Sequence, residues 1–390
     1  MPEQLTIGGL FAGYGGLDLA VEAVTGARPA WFCEWDDAPS KILAHHWPDV
    51  PNYRDVTTVN WSEVPPVDII CGGSPCQDLS LAGARKGMTE GTRSNLWVSM
   101  REAIATIRPR LVVWENVRGA LSANATSASD MEPGSGLLGG GAGYLRALGR
   151  VLGDLATLGY DAQWCLIRAS EVGAPHHRAR VFLVAHPADT ERVGLEEGQQ
   201  PRQGIPSLAG THGGVGALSD GLTHLPTPNA SDGSGGGQHM SKRAGHSRQL
   251  IDAVLDLGGQ PYLPTPDTNP GGGGQRTADE RMARNQTVSV NNALMGLDTT
   301  DSPFGKYEPV VHRWEAVTGM VAPAPTELNK NGRPRLNAAF AEWMMGLPSG
   351  WITAVPGVTR AQQLKACGNG VVPQQAAAAL THLLEVARHD

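Results

Sequence analysis

The sequence predicts an α/β protein: a doubly wound, mostly parallel sheet with a smaller irregular region inserted late in the chain. Three observations carry that reading. Between residues 5 and 185, short apolar runs alternate with helix-period stretches, the pattern of βαβ units. The first run opens into a glycine loop, Phe11-Ala12-Gly13-Tyr14-Gly15-Gly16, just before a helical stretch. After about Pro187 the periodicity fades and Gly, Pro, Thr and Asn dominate, until helical pattern returns at Leu336.

Taken in order, the expected strands are Leu5–Phe11, Ala30–Glu34, Val67–Cys71, Leu111–Glu115, Ala162–Arg168 and Val181–Ala185. Each is a short apolar run, the length of a buried strand rather than of a helix. Between them, apolar residues recur at helical spacing over Leu17–Val24, Ala38–His46, Leu96–Ile107 and Tyr144–Leu158, and later over Leu336–Met345 and Gln374–Arg388. A glycine-rich insert, Pro133 to Gly143, reads as a mobile loop. The expected organisation is therefore a discontinuous catalytic and cofactor-binding domain, 1–186 with 336–390, around a second region, 187–335. That second region carries an internal echo. Leu225-Pro226-Thr227-Pro228 and Leu263-Pro264-Thr265-Pro266 are each followed by a glycine run and a glutamine (Gln238, Gln275). A long irregular segment in an enzyme is usually functional or disordered.

Composition bounds the function. The 31 Lys and Arg against 38 Asp and Glu give a net charge of −7, which argues against an indiscriminate nucleic-acid binder. Local basic clusters survive within that balance: Lys242, Arg243 and Arg248 face Asp232 alone, and Lys330, Arg333 and Arg335 face Glu327. Five cysteines with no CxxC pair indicate neither a disulfide framework nor a thiolate zinc site. The paired histidines His45-His46 and His176-His177 lack a third ligand at workable spacing, so no metal is expected. With no apolar run of membrane-spanning length and no leader pattern, the expectation is a soluble cytoplasmic protein.

The residues that carry chemistry cluster after strands. Gly73-Ser74-Pro75-Cys76-Gln77 follows the run Val67–Cys71, which places Cys76 just past a strand's carboxyl end, where open α/β sheets bind ligands. On position alone Cys76 fits a packing thiol as well as a nucleophile. The glycine loop lets backbone approach a ligand closely, and Glu34, about 20 positions on, suits a ribose hydroxyl. Trp35 beside it could stack on an adenine, so the pair favours an adenosine-containing cofactor. Glu115-Asn116-Val117 brings a carboxyl to the same edge as Cys76, as acid/base work on a bound ring requires. Arg178 and Arg180, before the last strand, are permanently charged donors for a carbonyl or phosphate.

Taken together, these motifs resemble the DNA (cytosine-5)-methyltransferases of bacterial and phage type, over nearly all of the chain except the variable middle. Phe11–Gly16 resembles the family's first motif, and Glu34-Trp35 its ribose-binding acid and neighbour. Asp55, with Val56, matches the acid near the adenine. Gly73–Gln77 with Ser80 and Arg85 resembles the catalytic PCQ loop, Glu115–Val117 the ENV motif, and Arg178 and Arg180 the arginines of QxRxR. Cys367-Gly368-Asn369-Gly370-Val371-Val372 is similar to the last motif, which returns to complete the cofactor pocket. Three positions depart from the family pattern: Ser74, where proline or phenylalanine is common; His176, in place of glutamine; and Gly370, where serine or alanine is usual.

The resemblance implies a Rossmann-like fold and S-adenosylmethionine as methyl donor, held by Phe11, Gly13, Gly15, Gly16, Glu34, Trp35, Asp55, Val56, Gly73, Pro75, Leu96, Asn369, Gly370 and Val371. It implies Cys76 as nucleophile, Glu115 on the cytosine ring, Arg180 on its O2, and Arg178 organising the site. The partner implied is double-stranded DNA with the target base flipped out. Gln77 to Asn95 would then be the closing loop, and 187–335 the target-recognition region. Gln77, Ser80, Arg85, Lys242, Arg243 and Arg276 are the candidate DNA contacts. The expected state is a monomer, and a cognate restriction endonuclease is a partner that the sequence leaves open. RNA cytosine-5 methylation and a catalytically silent DNA-binding module are the alternatives. The length of the middle region disfavours the first, and the intact Cys76, Glu115, Arg178 and Arg180 disfavour the second.

Overall fold

A computed structural model of the chain describes residues 4–74, 96–121, 124–125, 145–188, 304, 307–328, 330–331 and 334–389. Strand β1 (Thr6–Leu10) leads through helix α1 (Gly16–Thr25) to β2 (Arg28–Cys33). The chain returns by α2 (Asp37–His46) and a 3-10 turn (Val56–Thr58) to β3 (Ile69–Gly72), on the other side of β1. Helix α3 (Trp97–Ile107) connects to β4 (Leu111–Val117). A two-residue ribbon, β5 (Asn124–Ala125) with β6 (Leu145–Arg146), precedes α4 (Ala147–Thr157), β7 (Tyr160–Ile167) and β8 (Arg180–Pro187). The C-terminal part holds α5 (Glu308–Thr318), a short ribbon of β9 (Thr326–Leu328) and β10 (Pro334–Leu336), then α6 (Ala338–Met344), α7 (Arg360–Asn369) and α8 (Pro373–His389).

The main sheet has the order β2-β1-β3-β4-β8-β7. Its first four strands are parallel, and β8 runs antiparallel to both β4 and β7. Because β2 and β3 lie on opposite sides of β1, the crossovers diverge there and open a crevice beyond the carboxyl ends of β1 and β3. The reversal of β8 has a functional consequence: it brings the amino end of that strand, Arg180, level with Val117 at the carboxyl end of β4.

The inner strands β1, β3, β4 and β8 read as nearly continuous apolar runs because both sheet faces are covered there. Ile70, Val112, Trp114, Val181 and Leu183 face α3 and α4 with Trp97, Met100, Val151 and Leu155. Their neighbours Ile69, Cys71, Val113, Phe182 and Val184 face the opposite layer, where α1 and α8 meet. Small side chains at Ala376, Ala377 and Ala379 let α8 lie close to Ala20 and Val21 of α1. A third cluster joins α2 to the C-terminal helices through Ile42, Leu43, Trp314, Phe340, Trp343 and Met344.

All six expected strands and the six expected helices form, with ends shifted by at most three residues. Two helices have no counterpart in the periodicity reading. Helix α5 lies in the stretch whose periodicity fades, yet its Val310, Val311 and Trp314 are buried against α6, and Trp314 Nε1 donates to Trp343 O at 3.0 Å. Helix α7 buries only Leu364, Ala366 and Cys367 and is fixed by its start, where Thr359 and Gln362 form a reciprocal capping box. Asp55, matched by resemblance to the acid near the adenine, caps the 3-10 turn, accepting from Thr57 N at 3.0 Å. Among the described residues no helix is long and apolar enough to cross a membrane. The LPTP echo, the Pro133–Gly143 insert, and Lys242, Arg243 and Arg276 lie outside the described residues.

Candidate active site

Two adjoining sets of groups line the crevice. The first is the glycine loop after β1. Phe11 N donates to Cys33 O at 2.9 Å, so the loop leaves the sheet beside the end of β2. Gly13 and Gly15 adopt positive φ, 59° and 84°, which lets the chain turn sharply into α1. Glu34 is buried beneath this loop: its Oε2 accepts from Gly13 N at 2.9 Å, and its Oε1 from Asp36 N at 2.8 Å. Burial pushes its carboxyl above the usual carboxylate range, and these two backbone donors oppose the shift. Trp35, by contrast, is 69% exposed, an indole left open beside the loop. Val56 is buried, and Leu96, just before α3, is partly buried against the same sheet face.

The second set gathers at the ends of β3, β4 and β8. Glu115 is on β4, and Arg180, two residues beyond its register partner Phe182, reaches back diagonally. Arg180 Nε lies 3.0 Å from Glu115 Oε1, and both side chains are largely buried. Burial pushes the Glu115 carboxyl up, while Arg180 and then Arg178 pull it down. Gly73 closes the other side: a Cβ there would stand 2.8 Å from Glu115 Oε2, so the backbone passes where a side chain would displace the carboxylate.

Ser74, the next residue, is fixed by two buried side chains of β4. Trp114 Nε1 donates to Ser74 Oγ at 3.1 Å. Asn116 Nδ2 donates to Ser74 O at 3.1 Å and to Oγ at 3.2 Å. Sequence reasoning noted Ser74 only as a departure from a family pattern. Its acceptor role depends on a strand 40 residues away, for which local sequence carries no signal. Pro75, Cys76, Gln77, Ser80 and Arg85 lie outside the described residues.

The two arginines have different surroundings. Arg180 faces Glu115, whereas Arg178 is 4% exposed and turns to the C-terminal segment. Its Nη2 donates to Gly368 O at 2.7 Å and to Gly370 O at 2.6 Å, at the end of α7. Its backbone is left-handed, φ 37°, and Gln375 Nε2 satisfies its carbonyl at 2.8 Å. His176 is fully buried, with Nε2 3.1 Å from Met344 O. Burial, with Arg178 next in effect, lowers its pKa to about 3, so the ring is neutral and donates from Nε2. Asn369 ends α7, Gly370 and Val371 lie in the turn to α8, and Val371 O accepts from Tyr14 Oη at 2.6 Å. Tyr14, absent from the expected site, thereby joins the two ends of the chain.

This arrangement sets a buried carboxyl paired with a guanidinium, groups able to hydrogen-bond a planar polar ring, at the strand ends beside the glycine loop and an exposed indole.

The chain is similar in sequence and in fold to known methyltransferases. The chain matches the DNA N-6-adenine-methyltransferase of Escherichia phage P1 at 36% identity over 132 residues, 31% of this chain and 17% of that protein. It is 31% identical to the type II methyltransferase M.HpaII of Haemophilus parainfluenzae over 186 residues, 47% of this chain and 46% of the relative. It is 27% identical to M.HhaI of Haemophilus parahaemolyticus over 175 residues, 45% and 47% of the two chains. These matches span less than half the length of each relative. The solved Dnmt2 methyltransferase of S. pombe shares the fold, with a TM-score of 0.55 at 13% identity over 98% of this chain and 99% of that one. The model of the family described as C-5 cytosine-specific DNA methylase matches residues 5–385, and the chain belongs to that family.

Proposed function

We propose that this protein transfers a methyl group from S-adenosylmethionine to carbon 5 of a flipped-out cytosine in duplex DNA, through a covalent adduct with Cys76. The observation that carries the proposal is the buried Glu115–Arg180 pair at 3.0 Å, set against Gly73 three residues before Cys76. A ring bearing N3, an exocyclic amine and O2 in a row suits that pair. Glu115, held up by burial, can keep a proton for N3 and accept from the amine. Arg180 can donate to O2.

The residues present fit the cofactor. Gly13 has open space where a Cβ would stand, Trp35 offers an exposed face for the adenine, and Glu34 anchors the loop between them. Glu34, Trp35, Asp55, Gly73 and the turn Asn369–Val371 would hold it, with Phe11, Gly15, Gly16, Val56, Pro75 and Leu96 shaping the site. Bound there, S-adenosylmethionine supplies an electrophilic methyl carbon.

Carbon 5 of cytosine is a poor nucleophile. The Cys76 thiolate adds to carbon 6, and the electron pair displaced from the C5–C6 bond makes carbon 5 enamine-like. Glu115 and Arg180 stabilise the charge that builds on N3 and O2. Once carbon 5 carries the methyl group, loss of its proton re-forms the double bond and expels the thiolate. Arg178 holds the turn that completes the pocket. Extruding the base costs a few kcal/mol of stacking and pairing. In this reading 1–186 with 336–390 is the catalytic domain. Residues 187–335 supply target recognition, with Lys242, Arg243 and Arg276 on DNA and Gln77, Ser80 and Arg85 on the closing loop.

The test is label transfer from methyl-labelled S-adenosylmethionine to duplex DNA of varied sequence, beside Cys76→Ala and an RNA substrate. Transfer to DNA that vanishes with Cys76→Ala is expected. Transfer to RNA alone would overturn the substrate, transfer by Cys76→Ala would overturn the adduct, and none by the unaltered protein would leave a binding module. Bisulfite sequencing of the product then reads the recognition sequence, which any endonuclease working beside this protein would share.

A further inference from the structure

Gly370 departs from the serine or alanine usual at its place in the family, and the structure supplies a physical reason. A Cβ added to Gly370 would overlap the Tyr14 ring at Cε1, Cζ and Cδ1. The ring of Tyr14, itself 1% exposed, therefore fills the volume that a side chain at 370 would take. The fit is matched on the loop side: a Cβ on Gly16 would overlap Val371 O and press on Tyr14 Cε2. Tyr14 Oη donates to Val371 O at 2.6 Å across 357 residues of sequence. Trp351 Nε1 donates to Tyr14 O at 3.0 Å, which fixes the residue's backbone as well. Arg178 grips the same turn from its other side through Gly368 O and Gly370 O.

We infer that Tyr14 is the positioning residue that seats the C-terminal turn on the glycine loop, that Gly370 is its required complement, and that S-adenosylmethionine affinity depends on the matched pair. The inference rests on the cofactor reading above. Tyr14 sits between Gly13 and Gly15, and Gly13 N is tied to Glu34, so pushing the ring aside moves the loop that the cofactor must touch. A side chain at 370 can be accepted only by displacing that ring or lifting the turn, and interiors as tightly packed as this resist both. Removing the ring opens the space a serine or alanine would use. Each position therefore sets what the other can be.

Four proteins test this: the unaltered chain, Gly370→Ser, Tyr14→Ala and the double variant, each titrated with S-adenosylmethionine by calorimetry without DNA and unfolded in urea. Gly370→Ser is expected to weaken binding about ten- to hundredfold, the equivalent of an overpacking penalty expressed in the displaced glycine loop. The double variant is expected to bind more tightly than Gly370→Ser alone, a reversal that a merely local structural role for either residue would not produce. In turnover assays KM for S-adenosylmethionine should move more than kcat. Gly370→Ser binding like the unaltered chain, or a double variant whose loss is the product of the single losses, would overturn the pairing. If Gly370→Ser does not fold, the double decides: folded, binding protein supports the pair and an unfolded one overturns it. Absence of binding by the unaltered chain would sink the cofactor reading instead, and the urea midpoints would still show or refute the reversal.

Discussion

Replacing Ser74 with alanine isolates the contact that anchors the backbone two residues before Cys76. The hydroxyl accepts from Trp114 Nε1 at 3.1 Å and shares Asn116 Nδ2 at 3.2 Å. Asn116 keeps the Ser74 carbonyl at 3.1 Å when the hydroxyl is gone, so its loss is small. The indole N–H of Trp114 has no such fallback, since the side chain is fully buried. Stranding a buried donor costs about 1–3 kcal/mol. For a domain of this size that lowers Tm by roughly 2–4 °C for each kcal/mol. The control is Trp114→Phe, which removes the donor. In that background Ser74→Ala is expected to cost less than about 1 kcal/mol, leaving a coupling of about 1 kcal/mol or more. Urea unfolding of the four proteins, with midpoints compared at constant slope, measures the cycle. Additive losses would refute the reasoning. So would Ser74→Ala indistinguishable from the parent, because the hydrogen bond would then contribute nothing to stability.

Three further outcomes are expected. Glu115→Gln keeps the shape but cannot supply a proton to N3, so single-turnover methyl transfer should fall by about 10²–10⁴ while S-adenosylmethionine affinity changes little; a threefold effect would remove Glu115 from the acid/base step. Arg178→Lys loses the planar guanidinium whose Nη2 reaches both carbonyls, so KM for S-adenosylmethionine should rise with a smaller fall in kcat, whereas Arg180→Lys should act mainly on kcat; identical profiles would contradict the separate surroundings of the two arginines. Asp18 is buried behind the glycine loop, takes a hydrogen bond from Cys71 Sγ at 3.3 Å, and has its pKa raised by burial to about 7. A carboxyl raised on folding stabilises the folded state most below its unfolded pKa, near 4, and loses that contribution as pH rises through about 7. Asp18→Asn, which cannot titrate, should flatten the fall in Tm between pH 5 and 8, and an unchanged slope would assign that fall to other groups.

Much of the fold is written locally. The alternation of short apolar runs with helical stretches marks the inner strands of the sheet, because strands buried on both faces must be apolar throughout, whereas the edge strand β7 keeps Asp161, Trp164 and Leu166 exposed. The motif residues are legible for the same reason: Glu115 at the end of an apolar strand, and glycines where backbone must pass close, are dictated by their own neighbours in sequence. Helix α5 escapes that reading because its apolar residues are few and gain their burial from α6, and α7 because its stability comes from a capping box and three buried residues.

By itself, then, the sequence determined the α/β class, the six strands of the main sheet with the four helices between them, and which side chains stand at the strand ends. Tertiary structure alone decided what those side chains face. The antiparallel β8 aims Arg180 at Glu115, while two residues earlier the left-handed backbone of Arg178 accompanies a guanidinium that turns to the α7–α8 turn. It also decided that Ser74 answers to Trp114, and that Gly370 is glycine because Tyr14 occupies its side-chain space. The physical reason is common to all of these. Periodicity and turn chemistry act over a few residues, whereas hydrogen bonding and exclusion of volume act between whatever surfaces the folded chain brings together, however distant in sequence.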